Sequence, residues 1–265
     1  MIHFDKTKKT KKLFTIKIYK KKTKNNLKLK SMKKIKVLAI CAIAMISMTS
    51  AKAQFSTGAD IVSNYVWRGV QQDVTNPSGT PNIQPYAAFT AGKFTIGSWA
   101  SSSFTGTVKE FDIYATFAIS SALAVTVTDY NWGFTQSYFN YDGAVGSDHL
   151  YEVAVAYTGP ESLPITASIN TFFAGANDVK TDGSQAYSSY LELGYVINSN
   201  AKFFAGASLM ESNAVYGTSG FGVTNVGFKV SKSIEITDKF SLPVYGVVTV
   251  NPYSGNAFFV AGVTL

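Results

Sequence analysis

An all-β fold, a single antiparallel up-and-down transmembrane β-barrel of about 12 strands, is what the amino-acid sequence predicts, and three observations predict it. Beyond residue 53 the chain is poor in charged side chains, its apolar residues recur at alternate positions, and its connecting segments run long and short by turns.

The leader accounts for the overall charge. The 265-residue chain has a formal net charge of +8, yet 16 of its 24 Lys and Arg precede Gln54, with one of its 16 Asp and Glu. Residues 54–265 therefore hold eight basic and fifteen acidic side chains, a net charge of −7. No nucleic-acid partner is expected of such a balance. Residues 1–31 are a Lys-rich, low-complexity leader, read as sequence upstream of a start at Met32 or as a disordered tail. A phosphate-binding tail is the alternative. Residues 32–53 have the layout of a cleaved signal peptide: Lys33, Lys34 and Lys36, an apolar run from Val37 to Met48, then Ala51, Lys52 and Ala53 before the expected cut. That run is too short to span a bilayer, which takes about 20 helical residues. The single cysteine, Cys41, lies within it, so no disulfide and no thiolate metal site is expected after cleavage.

Residues 54–265 form one domain, in which 23 of 212 residues are charged, about 11% against roughly 25% in an ordinary soluble domain. No apolar run is long enough for a transmembrane helix. A barrel reconciles the two facts, because its backbone groups pair around a closed sheet and its apolar side chains spread at period two over a lipid-facing wall. A secreted β-sandwich also alternates, but the Phe, Tyr and Trp content fits lipid contact and interface girdles better.

The first predicted strand, 56–70, contains Ser63-Asn64-Tyr65-Val66-Trp67-Arg68-Gly69. Period two turns Ile61, Tyr65 and Trp67 toward lipid and Asp60, Asn64 and Arg68 toward the lumen. Strands 81–91 and 93–103 meet at a Gly-containing turn. Strand 108–119 interleaves Phe111, Ile113, Ala115 and Phe117 with Glu110, Asp112, Tyr114 and Thr116, and a short turn leads into 122–132. Strands 149–158 and 164–174, 186–197 and 201–210, and 220–236 and 240–250 are likewise paired across short turns. The closing strand, 256–265, has Phe259, Ala261, Val263 and Leu265 on one apolar face. Between these pairs lie mostly longer polar links, near 71–80, 104–107, 133–148, 175–185, 211–219 and 251–255. Short periplasmic turns and longer external loops belong to outer-membrane barrels, so both termini are expected to be periplasmic.

Three segments carry a family resemblance: Ser-Asn-Tyr-Val-Trp-Arg-Gly-Val-Gln-Gln at 63–72, Gly-Ser-Trp-Ala-Ser at 97–101, and Glu-Phe-Asp-Ile-Tyr-Ala-Thr-Phe at 110–117. In this order they resemble the TorF-type porin family of Gram-negative bacteria. The resemblance implies an outer-membrane barrel and a pore. The chain departs from the family at Asn64, usually Asp there, at Trp67, usually Phe, and at 138–143, which lacks the family's Tyr-Pro-Gly. A shared ligand is not implied.

Period two also sends Glu110, Asp112, Glu152, Glu192, Lys202, Lys229 and Glu235 inward, so that with Asp60, Asn64 and Arg68 they are the candidate pore-lining residues. A Lys or Arg facing lipid at the midplane would cost about 2–4 kcal/mol. Lys232 breaks the pattern, and an interface position or a bulge would accommodate it. Arg68 has two readings: a guanidinium that filters solutes, or a brace paired with Glu110 or Asp112.

No catalytic activity, metal or cofactor is expected. The triad-like run Ser147-Asp148-His149 cannot assemble by itself, since neighbours on an extended strand face opposite ways. His149 is read as a loop or girdle residue. The partners expected are outer-membrane lipid and small hydrophilic solutes diffusing through a narrow lumen. A non-conducting structural or adhesion barrel is the alternative, with an outer-membrane lipid hydrolase behind it. In the adhesion reading the 133–148 loop, with Tyr138, Phe139 and Tyr141, is a contact surface or folds inward as a plug.

Overall fold

The computed structural model describes residues 53–135, 137–141, 147–175 and 177–265. Residues 1–52, with nearly all of the predicted leader and signal peptide, lie outside them, as do residues 142–146 of the longest loop. In chain order the strands are β1 (Gln54–Val62), β2 (Val66–Trp67), β3 (Val70–Gln71), β4 (Asn82–Ala91), β5 (Phe94–Ser103), β6 (Lys109–Ala118), β7 (Leu123–Trp132) and β8 (His149–Thr158). There follow β9 (Ile165–Gly175), β10 (Ser189–Asn198), β11 (Ala201–Ser208), β12 (Glu211–Ser212), β13 (Thr218–Ser219), β14 (Gly222–Thr237), β15 (Phe240–Asn251) and β16 (Asn256–Thr264). Twelve of them close into one antiparallel barrel, β1-β16-β15-β14-β11-β10-β9-β8-β7-β6-β5-β4, while β2–β3 and β12–β13 are separate small hairpins. Eleven predicted strands are found with their ends displaced by three residues or fewer.

The alternation is realised as an apolar exterior. Phe89, Ile96, Ile113, Phe117, Leu193 and Phe259 are among the large apolar side chains left exposed on the outer face. In water each would forgo roughly 1.5–3 kcal/mol of burial; against acyl chains none is exposed to water. The barrel is therefore a transmembrane one, and its two ends lie at the rim that carries the short turns.

Inside, the scattered glycines have a common use. Tyr86 stands opposite Gly58, Tyr114 opposite Gly97 and Tyr245 opposite Gly262 in the strand register. A Cβ on Gly97 would lie 2.4 Å from the Tyr114 ring, and one on Gly262 would lie 2.1 Å from that of Tyr245. Each ring lies down over the neighbouring strand, in the space a missing side chain leaves, rather than standing out toward the barrel axis.

The first strand is the exception. β1 ends at Val62, and the chain then leaves the wall. Ser63 completes the short β1–β16 seam: its N–H donates to the Ala261 carbonyl at 2.8 Å and its hydroxyl accepts the Ala261 N–H at 2.9 Å. Beyond it, Val66–Trp67 and Val70–Gln71 pair as a hairpin whose two-residue loop is Arg68-Gly69. Both loop residues have positive φ, 51° and 78°, the requirement of a type I′ turn. The turn ends the strand, and Tyr65 and Trp67 are turned into the barrel instead of toward lipid.

A second departure lies at the opposite rim. β14 pairs with β11 only as far as Val230, and β15 pairs with β16 only from Val244. Residues 231–243 thus run on as a two-stranded ribbon, most of it exposed. Glu235, expected in the lumen, lies on this ribbon beyond the barrel wall. Lys232 is there too, which removes the penalty its lipid-facing parity had implied.

Candidate functional site

The hairpin of residues 63–72 sits among inward-facing side chains, and it makes the lumen the candidate site. Trp67 packs on Tyr130, Trp132, Phe172 and Tyr216 with ring centroids 5.6–6.4 Å apart. Tyr130 and Trp132 come from β7, Phe172 from β9, and Tyr216 from the link between β12 and β13. With Leu150 and Tyr190 they form the buried apolar cluster of the molecule.

Arg68 occupies the tip. Its Nη1 donates to Glu152 Oε2 and to the Tyr216 hydroxyl, each at 2.5 Å, and its Nη2 donates to Glu152 Oε1 at 3.0 Å. The guanidinium carbon lies 4.3 Å from the Trp67 ring centroid and 4.9 Å from that of Tyr190. Tyr130 donates a further bond to Glu152, at 3.1 Å. A two-pronged Arg–carboxylate pair is directional, and the flanking rings add cation–π attraction of about 0.5–2 kcal/mol each. The partner is thus Glu152 and neither Glu110 nor Asp112. Glu110 accepts from Trp132 instead, and the I′ turn swings the tip across to β8.

The remaining candidates form smaller groups. Glu110 and Asp112, two residues apart on β6, are both buried. Glu110 accepts from Trp132 Nε1 at 2.5 Å. Asn64 donates to Gln71 at 3.1 Å and ties the base of the hairpin together. Lys202 lies 3.7 Å from Glu192, which also accepts from the Tyr190 hydroxyl. Asp60 accepts from the Tyr245 hydroxyl at 3.0 Å, and Lys229 stands over the same ring at 4.1 Å. Glu235 joins none of these groups.

The three segments that carry the family resemblance converge here. Tyr65 of the first touches Trp99 of the second, with ring centroids 5.5 Å apart, and Trp99 stands opposite Asp112 of the third in the strand register. Gly97 of the second receives Tyr114 of the third. Residues far apart in the chain are thus mutual contacts around one inserted hairpin.

At the long-loop rim, on the outer side of the wall, His149 is buried under Tyr138 and Tyr141. Its Nδ1 is 2.6 Å from Asp129 Oδ1, and its Nε2 is 2.7 Å from the Tyr138 carbonyl. Ser147 donates to the Asn140 carbonyl at 3.0 Å. Serine and imidazole therefore serve the loop rather than each other. Asp129 was not predicted, because its contact depends on the β7–β8 register. The described part of the 133–148 loop packs outside the barrel, with Tyr138 against Phe111 at 5.4 Å, so the element that folds inward is the 63–72 hairpin.

Comparison with known proteins gives no family model that matches the chain and no curated protein that does. Among solved structures, a KdgM porin is similar with a TM-score of 0.44 and 10% identity, over 79% of this chain and 98% of that one. An outer membrane channel from Pseudomonas putida F1 is similar with a TM-score of 0.37 and 10% identity, over 81% and 94% respectively.

Proposed function

We propose that this chain is an outer-membrane porin of narrow lumen, exported behind a cleaved signal peptide, which lets small hydrophilic solutes diffuse passively across the membrane. The observation that carries the reading is a closed twelve-stranded wall, apolar outside and polar inside, with cavities of about 490 and 180 Å³ beside the inserted hairpin. Eight-stranded barrels are filled by their own side chains and sixteen-stranded ones hold an aqueous channel; twelve strands less one inserted hairpin leave a narrow passage. The resemblance to TorF-type porins supports the reading, since its three segments are the ones that seat the hairpin. Short turns then face the periplasm with both termini, and the longer loops face outward.

A catalytic role has no support in the residues at the long-loop rim, where both ring nitrogens of His149 are engaged. A non-conducting structural barrel is the second reading, favoured by the aromatic packing around Arg68. Planar-bilayer recording decides between the two. Folded protein, identified by heat-modifiable electrophoretic mobility, is expected to produce discrete conductance steps, whereas silent bilayers from the same protein would leave the structural reading.

A further inference from the structure

Two cavities flank the tip of the inserted hairpin. The outer one, about 490 Å³, lies at the long-loop rim between Val70, Val74, the 213–217 segment and Asn256. The inner one, about 180 Å³, is lined by Gln84, Phe204, Asn225, Val247, Thr249 and Val260 among others. Both touch Gly69, and Gly69 is where they are divided. Its carbonyl accepts from Asn251 Nδ2 at 3.0 Å. Its Cα is pressed so closely to β14 that a Cβ would lie 1.8 Å from the Thr224 carbonyl oxygen. The seat is supplied by an irregularity in β14: the register with β11 slips between Gly206 and Ala207, which leaves Thr224 as an extra residue.

The two sides of the hairpin are held very differently. Toward β5, β7 and β8 it is fastened by the Arg68–Glu152 pair, the packing of Tyr65 on Trp99 and that of Trp67 on Tyr130 and Trp132. Toward β14 and β15 the contact is one neutral hydrogen bond and a backbone approach. The Thr224 hydroxyl is fully buried there with no hydrogen-bond partner among the described residues, so this seat is not fully satisfied when occupied. We infer that solutes pass to one side of the barrel, along the β14–β15–β16 wall, through a gate formed by Gly69, Thr224 and Asn251.

The lining also defines the class of solute, an inference that rests on the porin reading. Gln84, Asn225 and Thr249 present amide and hydroxyl oxygens as acceptors, their own donors bonding Ser101, Tyr190 and Asn225 in turn, while Phe204, Val247 and Val260 offer apolar surface. Arg68, the charged residue of the inner cavity, is committed to Glu152. Farther along, Asp60 and Lys229 flank Tyr245 with opposite charges. Such a passage suits small neutral polyhydroxylated solutes, whose hydroxyls meet the amides and whose C–H faces meet the apolar strip. An ion would shed water there with no opposite charge free to replace it.

Swelling of liposomes containing the folded protein tests the route, with arabinose and glucose as neutral probes and gluconate as a charged probe of similar size. Thr249→Trp or Val260→Trp, each filling the inner cavity, should slow arabinose entry by about tenfold, while Ser168→Trp on β9, outside that wall, leaves it within about twofold. Two cavity variants are used so that a folding failure of one does not remove the test. Asn251→Ala, which frees the Gly69 carbonyl, should raise the arabinose rate severalfold, and glucose should enter faster than gluconate. A greater loss from Ser168→Trp than from the cavity variants would overturn the route. An unchanged rate in Asn251→Ala would overturn the gate, and faster gluconate would overturn the solute class. If wild type and Asn251→Ala pass no probe at all, the porin reading itself fails.

Discussion

Arg68 is an arginine in a left-handed backbone conformation, at φ 51°, a region that non-glycine residues enter at a cost of order 1–3 kcal/mol. Its side chain supplies the reason it persists, since the guanidinium reaches Glu152, Tyr216 and two aromatic faces only from that turn. Removing one partner leaves a nearly buried charge uncompensated. Glu152→Ala should therefore lower stability by about 3–5 kcal/mol, and adding Arg68→Met should restore more than half of the loss. Urea unfolding in detergent, followed by tryptophan fluorescence, measures both. A second carboxylate works in the long link between β3 and β4. The hydroxyls of Thr75, Thr80 and Thr107 hold the Asp73 carboxyl well below its usual range, with Thr75 contributing most. A depressed folded pKa means that the stabilisation is complete above the unfolded value, near 3.9, and is lost as pH falls through the folded one. Asp73→Asn should accordingly lower the melting temperature at pH 7 and flatten its decline under acid, as thermal scans at a series of pH values will record. The sequence placed Arg68 and Glu152 on the lumen side, but their pairing was not legible, because it joins residues 84 positions apart through a turn.

At the scale of elements, periodicity was a sound guide wherever the strand stayed in the wall. Eleven strands could be read that way because lipid on one side and lumen on the other act on every second residue alike. The alternation Tyr65, Trp67 continued through the inserted hairpin only because β2 and β3 are extended too; the same period served a different environment. One local signal for the departure was available, Arg-Gly as a two-residue I′ loop, although Asn-Gly is its usual form. The glycines opposite tyrosines were harder to see, since their meaning depends on register. Gly97→Ala should destabilise the barrel by about 1–3 kcal/mol through overpacking against Tyr114. Tyr114→Ala added to it should cost much less than the sum of the two single changes, which a double-mutant cycle on unfolding midpoints will show.

Over the whole molecule, the barrel combines a regular wall with one irregular insert, and in the porin reading the insert sets the bore. Replacing Tyr65–Gln71 by a glycine–serine segment of equal length, together with Glu152→Gln, should increase single-channel conductance severalfold while heat-modifiable mobility is kept. Conductance unchanged from wild type would mean that the hairpin does not limit passage. Fold class, strand number, the alternation of long and short links and the polarity of the two faces were all determined by the sequence alone, because a membrane imposes a periodic demand that each short segment answers independently. Only the tertiary structure decided that residues 63–72 leave the wall, that Arg68 is paired with Glu152, and that two cavities beside the hairpin are lined by β14, β15 and β16 among others. Those outcomes depend on which side chains meet across a closed sheet, and closure brings together strands that no local pattern relates.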